Sequence, residues 1–156
     1  MSTRVVTASD IARCGGMATA NRRYWVRKEV LRGQGPFVEQ DAIETAVAHA
    51  LIAASQANVF GAVFPDLRAD LRRAVLEGCC ELWVVIGADG CDFALLRSCA
   101  EAGETASQLD GLAWTIPLGA CIAQARYRYA RLLVQIGEAS GEVESLSRRR
   151  AGSEAN

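Results

Sequence analysis

The segment from Leu82 to Leu96 constrains the fold most, because it has the pattern of a β-hairpin in a chain whose other patterns are mainly helical. Leu82–Ile86 is a run of strand-forming residues, Ala88-Asp89-Gly90 is a turn signal, and a second apolar run ends at Leu96. Two such runs around a short turn predict paired antiparallel strands. Leu112–Ile116 predicts a third strand. A sheet formed among helices places the chain in the α+β class.

The first two helices are predicted from their end signals. Thr7 can cap a helix, and Asp10 three residues later completes a box-like pair with it. Gly15-Gly16 then ends this helix, because glycine readily adopts the backbone conformation that closes a helix. A second helix is expected from Met17 to about Leu31.

Beyond the second helix, Gly33-Gln34-Gly35-Pro36 cannot continue helical structure and is predicted to be a turn. Phe37-Val38 follows as a short extended stub. A third helix is expected to start at Asp41, because apolar residues recur after it at helical spacing. This stripe consists of Ile43, Ala46, Val47, Ala50, Leu51 and Ala54.

The rest of the chain is divided by a weakly apolar joint at Gln56–Phe64, after which Pro65 can open a fourth helix. Leu118–Ile136 fits a helix better than a strand, because of its length and alanine content. The polar residues beyond it predict a frayed or disordered tail. We therefore expect an N-terminal domain at 1–57, a mixed α/β half at 62–136 and a tail at 137–156.

Positive charge is concentrated in the second predicted helix. From Arg22 to Arg32 there are five basic residues and one acid, Glu29. The whole chain is nearly neutral, with 17 Lys and Arg against 18 Asp and Glu, so any signal for a charged partner is local. After Asn58 acids outnumber bases thirteen to ten. The sequence thus indicates a basic head on a mildly acidic body.

A short helix, a glycine turn, a basic helix and an extended stub together form the pattern of a helix-turn-helix with a minimal wing. The major groove of DNA admits one helix, and flanking Arg and Lys neutralise phosphates. From about Val6 to Leu51 the sequence resembles the MerR-type winged-helix DNA-binding domain, and less closely its short excisionase-like relatives. The motifs that carry the resemblance are Thr7…Asp10-Ile11-Ala12-Arg13, Gly16-Met17, Arg23-Tyr24-Trp25, Val30-Leu31 and Phe37-Val38-Glu39-Gln40-Asp41.

The resemblance implies roles for residues of the second helix. Arg23 and Tyr24 would contact the DNA backbone, and Trp25 would anchor the helix in the core. The residues at the start of the helix would face the bases; these are Thr19, Ala20 and Asn21.

The sequence differs from the family at two positions of this helix. The family usually buries a Leu where this chain has Arg22, and it usually has a Gly where this chain has Glu29. With the neighbouring basic residues included, the predicted DNA-binding set is Thr19, Asn21, Arg22, Arg23, Tyr24, Arg27, Lys28 and Arg32.

The expected function is sequence-specific DNA binding, as a cytoplasmic bacterial transcriptional regulator whose partner is double-stranded DNA. A homodimer through the C-terminal half is expected, because one module buries too little surface for tight binding. An excisionase-like architectural factor that bends DNA is one alternative. A protein-interaction adaptor that binds no DNA is another.

Other classes lack their sequence patterns. There is no Walker loop, GxSxG or HExxH motif, so we predict neither an enzyme nor a cofactor. The six cysteines include no CxxC pair, and the single His49 is far from them in sequence, so no metal site is predicted. The cysteines are expected to be reduced thiols, mostly packed as small apolar residues. No secretory signal and no membrane span are predicted.

Overall fold

The computed structural model describes residues 4–90, 92–109 and 111–153, without the side chains at 142–147 and 151–153. The fold is α+β, as the sequence predicts. The helices are α1 (Ala8–Cys14), α2 (Thr19–Arg27), α3 (Glu39–Ala54), α4 (Ala57–Leu76), α5 (Cys99–Gln108) and α6 (Gly119–Ser153). The strands are β1 (Trp83–Gly87), β2 (Phe93–Leu96) and β3 (Ala113–Pro117).

Helix α1 and its glycine turn follow the predicted local signals. The Asp10 amide donates to Thr7 Oγ1 at 3.2 Å, and the Thr7 amide donates to the Asp10 carboxylate at 3.0 Å, which forms a capping box. Gly16 has φ +70°, the left-handed conformation that glycine adopts at helix ends. A Cβ at Gly15 would lie 2.5 Å from Cγ2 of Thr45 on α3. The predicted cap and helix end are therefore confirmed, and the close turn requires both glycines.

Helix α2 is shorter than predicted, since it ends at Arg27 rather than near Leu31. Glu29 has a φ of 60°, a left-handed conformation that interrupts a helix. This change of direction turns Val30 and Leu31 into the core, where both are buried. Burial of two apolar side chains offsets a backbone strain of about 1–2 kcal/mol at Glu29.

The loop between α2 and α3 covers residues 28–38 and contains no strand, so the structure does not confirm a wing. The Val38 backbone is extended, as predicted, and its amide donates to the Asp41 carboxylate at 2.8 Å. Helix α3 therefore begins at Glu39, slightly before the predicted start, and Asp41 caps it from within the first turn.

Helix α4 contradicts the predicted joint at Gln56–Phe64. It begins at Ala57 and continues through Pro65. Phe60 and Phe64 are fully buried, and their spacing of four residues places them on one helix face. Pro65 is exposed, so the carbonyl group that lacks its N–H partner can bond to water. Core packing thus keeps the helix continuous across the predicted boundary.

The segments predicted as separate domains, 1–57 and 62–136, share one hydrophobic core. The ring of Trp25 on α2 packs edge-on against Phe60 on α4, with centroids 4.7 Å apart. Helix α6 packs against α1 and α3. The buried face of α6 lies within the segment predicted to be helical and consists of Ile122, Ala125, Tyr129, Leu132 and Ile136.

The sheet has the strand order β2-β1-β3 and is antiparallel throughout. Val84 on β1 pairs with Leu95 and Ile116, and these side chains pack against the helical core. Helix α5 forms from a stretch whose sequence pattern is ambiguous. It contacts all three strands on the opposite face, where Val85 and Ala102 are buried. The predicted hairpin and third strand are confirmed.

Helix α6 continues beyond its predicted end. The prediction of a disordered tail is wrong for residues 137–153, which form the last part of α6, while 154–156 lie outside the described residues. Among the side chains that the structure describes, Ile136 is the last in α6 to reach the core. No helix in the described ranges combines the length and the apolar character needed to cross a bilayer.

Candidate nucleic-acid interface

Helix α2 and the residue that follows it carry three exposed basic side chains, Arg23, Arg27 and the C-cap Lys28. The helix has no acidic residue, and no described residue forms an ion pair with any of these three. Arg23 and Arg27 lie on one face, because they are four residues apart. The Lys28 ammonium group lies 5.7 Å from the centroid of the Tyr24 ring. The basic charge is therefore available to an external partner.

The first turn of α2 leaves backbone donors open. Ala18 precedes the helix and supplies no side-chain cap, so the first N–H groups of α2 have no side-chain partner. Thr19 is half-buried, with its hydroxyl oxygen 3.5 Å from that of Ser9 on α1, whereas Asn21 is exposed. Open N–H groups and the positive end of the helix dipole favour a phosphate here. The amide group of Asn21 can pair with an adenine edge.

A groove follows α2 between the start of α1 and the loop after α2. Arg23 and Arg27 border this groove, and small residues contributed by α1, α2 and the loop keep it open. Its lining residues are Ala8, Ala20, Arg22, Arg23, Val26, Arg27 and Gly33. The groove brings the two free guanidinium groups of α2 together on an accessible surface.

Arg22 borders this groove, but internal contacts hold its guanidinium, which contradicts its prediction as a DNA-backbone contact. Its side chain is buried, Nε donates to Thr45 Oγ1 at 3.1 Å, and Nη2 donates to the Arg32 carbonyl at 2.8 Å. The guanidinium also lies 5.5 Å from the centroid of the Phe37 ring. Burial lowers the pKa of Arg22, while Asp41 and Glu44 oppose this shift. Arg22 thus fastens α2 to α3 at the position where the family usually buries a Leu.

Arg32 organises the loop after α2. Its Nε donates to the Gln34 carbonyl at 2.8 Å, and its Nη2 donates to the Pro36 carbonyl at 2.7 Å. Nη1 lies 3.6 Å from the Asp41 carboxylate. Since these contacts occupy the guanidinium, the structure places Arg32 in the loop framework rather than among the free charges of α2.

The aromatic pair of α2 divides between surface and core. Trp25 is buried, as the resemblance implies. Tyr24 is exposed and packs edge-on against Trp25, with ring centroids 5.0 Å apart. The contact with the buried Trp25 therefore holds the Tyr24 ring and its hydroxyl in position.

Asp10 anchors the first turn of α1 through charge and hydrogen bonds. Burial by itself would raise the pKa of Asp10, but hydrogen bonds from Thr7 and Arg13, together with the nearby charge of Arg4, hold this pKa below its usual value. The Arg13 guanidinium lies 2.5 Å from the carboxylate and is otherwise largely exposed. This network positions Arg13 close to the glycine turn.

A second basic cluster lies outside the predicted DNA-binding set. An open cleft between α1 and α6 has Arg13, Arg128 and Arg131 in its lining, together with Gly16 of the turn. Arg128 Nη1 would lie 3.1 Å from a Cβ at Gly16. The sequence feature that marks this cluster is a stretch of α6 from Gly119 to Gly137 with three arginines and no acid. The half of the chain around it is acidic.

Comparison with known proteins gives no match to a protein-family model, to a curated protein or to a solved structure. The MerR-type resemblance therefore depends on the residues and motifs quoted for it.

Proposed function

We propose that this chain is a sequence-specific DNA-binding protein that regulates transcription, with α2 inserted in the major groove. The observation that carries the proposal is the basic face of α2, on which Arg23 and Arg27 are exposed and form no ion pair with a described residue. Lys28, the C-cap residue, adds an exposed charge beside Tyr24. Unpaired guanidinium and ammonium groups on a helix that fits the groove can neutralise DNA phosphates.

The proposed contacts divide into two kinds. Thr19 and Asn21, in the first turn of α2, would read base edges. Arg23, Tyr24, Arg27 and Lys28 would hold the phosphate backbone, which fixes the position of the helix but carries no sequence information. Arg22 and Arg32 act indirectly, because their internal contacts hold α2 and its following loop in place.

Selection of bound duplexes from a random-sequence pool tests this function. We expect the full chain to enrich one motif, because Asn21 can discriminate bases. Asn21→Ala is expected to change the preference at one or two positions, whereas Arg23→Ala should weaken binding to all sequences about equally. Failure of the full chain to enrich any motif would contradict sequence-specific recognition.

The same experiment separates this function from the second candidate, a protein-interaction adaptor. The adaptor is favoured by large apolar side chains that are exposed outside α2, namely Leu76 and Leu112. An adaptor would retain no duplex from the pool, even at low salt. Retention of all duplexes without a preferred motif would instead favour the excisionase-like architectural alternative.

A further inference from the structure

The open cleft between α1 and α6 is a second place where basic side chains lie close together. We call it the α6 cleft. Its lining consists of Arg13, Cys14, Gly16, Gln124, Tyr127, Arg128, Arg131, Leu132 and Gln135. Arg128 and Arg131 are three residues apart and so lie on neighbouring positions of one helix face. The cleft holds basic and amide side chains that can donate hydrogen bonds, and no carboxylate lies in its lining.

Two of the three arginines of the α6 cleft have no acidic partner among the described residues. Among the described residues, none forms an ion pair with Arg128 or Arg131, and the Arg131 guanidinium lies 5.9 Å from the centroid of the Tyr127 ring. Arg13 contacts Asp10, but its side chain is still 70% exposed. The nearest other arginine of α6, Arg126, contacts Glu39 instead and does not line the cleft.

The α6 cleft adjoins the turn that leads into α2. Gly16 belongs both to that turn and to the cleft lining, and Arg128 reaches toward its Cα. Because the turn connects α1 directly to α2, the α6 cleft lies close to the N-terminal end of α2. Arginine suits a DNA strand at this position, since its planar guanidinium can form two parallel hydrogen bonds to one phosphate.

We infer that the α6 cleft binds the phosphodiester backbone of the DNA on which α2 is seated. This inference rests on the proposed function and extends it, because it assigns Arg13, Arg128 and Arg131 to a second line of phosphate contacts. The cleft is open to solvent rather than enclosed, which suits a polymer backbone better than a buried small molecule. Neither the charge pattern of the head nor the resemblance assigns this role to α6.

The test is a salt titration of duplex affinity for the full chain and for Arg128→Ala/Arg131→Ala. The slope of log Kd against log salt is expected to fall by roughly 2 in the variant, because each lost phosphate contact removes about 0.9 from the slope. Arg73→Ala/Arg97→Ala is the matched control. It removes the same charge from exposed sites outside both α2 and the cleft, so its slope should stay near that of the unmodified chain.

Two further measurements show whether the cleft acts through its charge and whether it affects sequence recognition. Arg128→Lys/Arg131→Lys keeps the charge and should recover most of the slope, while the motif selected from a random pool should be unchanged in all these variants. An equal slope for the cleft variant and its control would overturn the inference while leaving the proposed function intact. Absence of duplex binding by the unmodified chain would overturn both.

Discussion

Arg22 shows why charge alone does not identify a DNA contact. Four other basic residues follow it between Arg23 and Arg32, so the sequence groups it with them. Its position on the helix instead points it toward Thr45 and the Arg32 carbonyl, which take up its donors. The family resemblance contained the relevant signal, because this position is usually a buried Leu.

Replacement of Arg22 should therefore affect stability rather than charge. We expect Arg22→Ala to lower the free energy of unfolding by roughly 2–3 kcal/mol, because it leaves buried hydrogen-bonding partners unsatisfied. Urea denaturation followed by circular dichroism measures this change. Arg23→Ala, an exposed neighbour, is the control and should change the stability by at most about 0.5 kcal/mol. Equal effects of the two substitutions would contradict the buried role of Arg22.

The Asp10 network predicts a dependence of stability on pH. The folded-state pKa of Asp10 lies below the ordinary aspartate value of 3.8, so its contribution to stability is fully present above that value and is lost as the pH falls through the folded pKa. Asp10→Asn should therefore reduce the free energy of unfolding at pH 7 by about 1–2 kcal/mol. The difference between the two proteins should shrink below pH 3.8. A difference that is constant from pH 7 to pH 3 would argue against this network.

Among the secondary-structure elements, the caps and turns that depend on neighbouring residues were predicted correctly. The cap at Thr7, the glycine turn and the hairpin around Asp89-Gly90 have their determinants within a few residues, and the structure contains all three. The end of α2 and the start of α4 were misplaced, because burial of Val30, Leu31, Phe60 and Phe64 decides them. Such burial depends on residues that are distant in sequence.

The backbone strain at Glu29, where α2 ends, can be tested by substitution. Its φ of 60° is strained for an L-residue, so Glu29→Gly should raise the free energy of unfolding by about 0.5–1 kcal/mol. Thermal or urea denaturation measures the shift. Lys28→Gly is the matched neighbour, since Lys28 has φ −84° and gains nothing from glycine, and it should be neutral or destabilising. Destabilisation by Glu29→Gly would show that the left-handed turn does not limit the stability.

In the whole molecule, the hydrophobic core shared by the two halves explains which parts of the nucleic-acid interface could be predicted. The basic face of α2 is contiguous in sequence and was found there. The α6 cleft is assembled from α1 and α6, which meet only because α6 packs back across α1 and α3. The net charge of the C-terminal half hides Arg128 and Arg131, because acidic residues surround them in sequence. Only the folded structure shows that they lie near Arg13.

The long α6 also suggests how two copies could associate. Leu133 and Val134 are 47% and 60% exposed on the side of α6 away from the buried Leu132 and Ile136, and α6 then continues to Ser153. We propose that this part of α6 forms a homodimer, which would double the area held on DNA. Sedimentation equilibrium should give a dimer mass for the full chain and a monomer mass for Leu133→Glu/Val134→Glu. A monomer at all concentrations up to about 100 µM would contradict this proposal.

DNA binding by the basic face of α2 is measured by fluorescence anisotropy of a labelled mixed-sequence duplex. At about 50 mM salt we predict saturable binding, with a steep loss of affinity at about 200 mM. Arg23→Ala/Arg27→Ala should weaken the binding and flatten its salt dependence, whereas Arg73→Ala/Arg97→Ala should leave both nearly unchanged. No binding at the lower salt, or equal binding by the two double variants, would contradict DNA binding by this face.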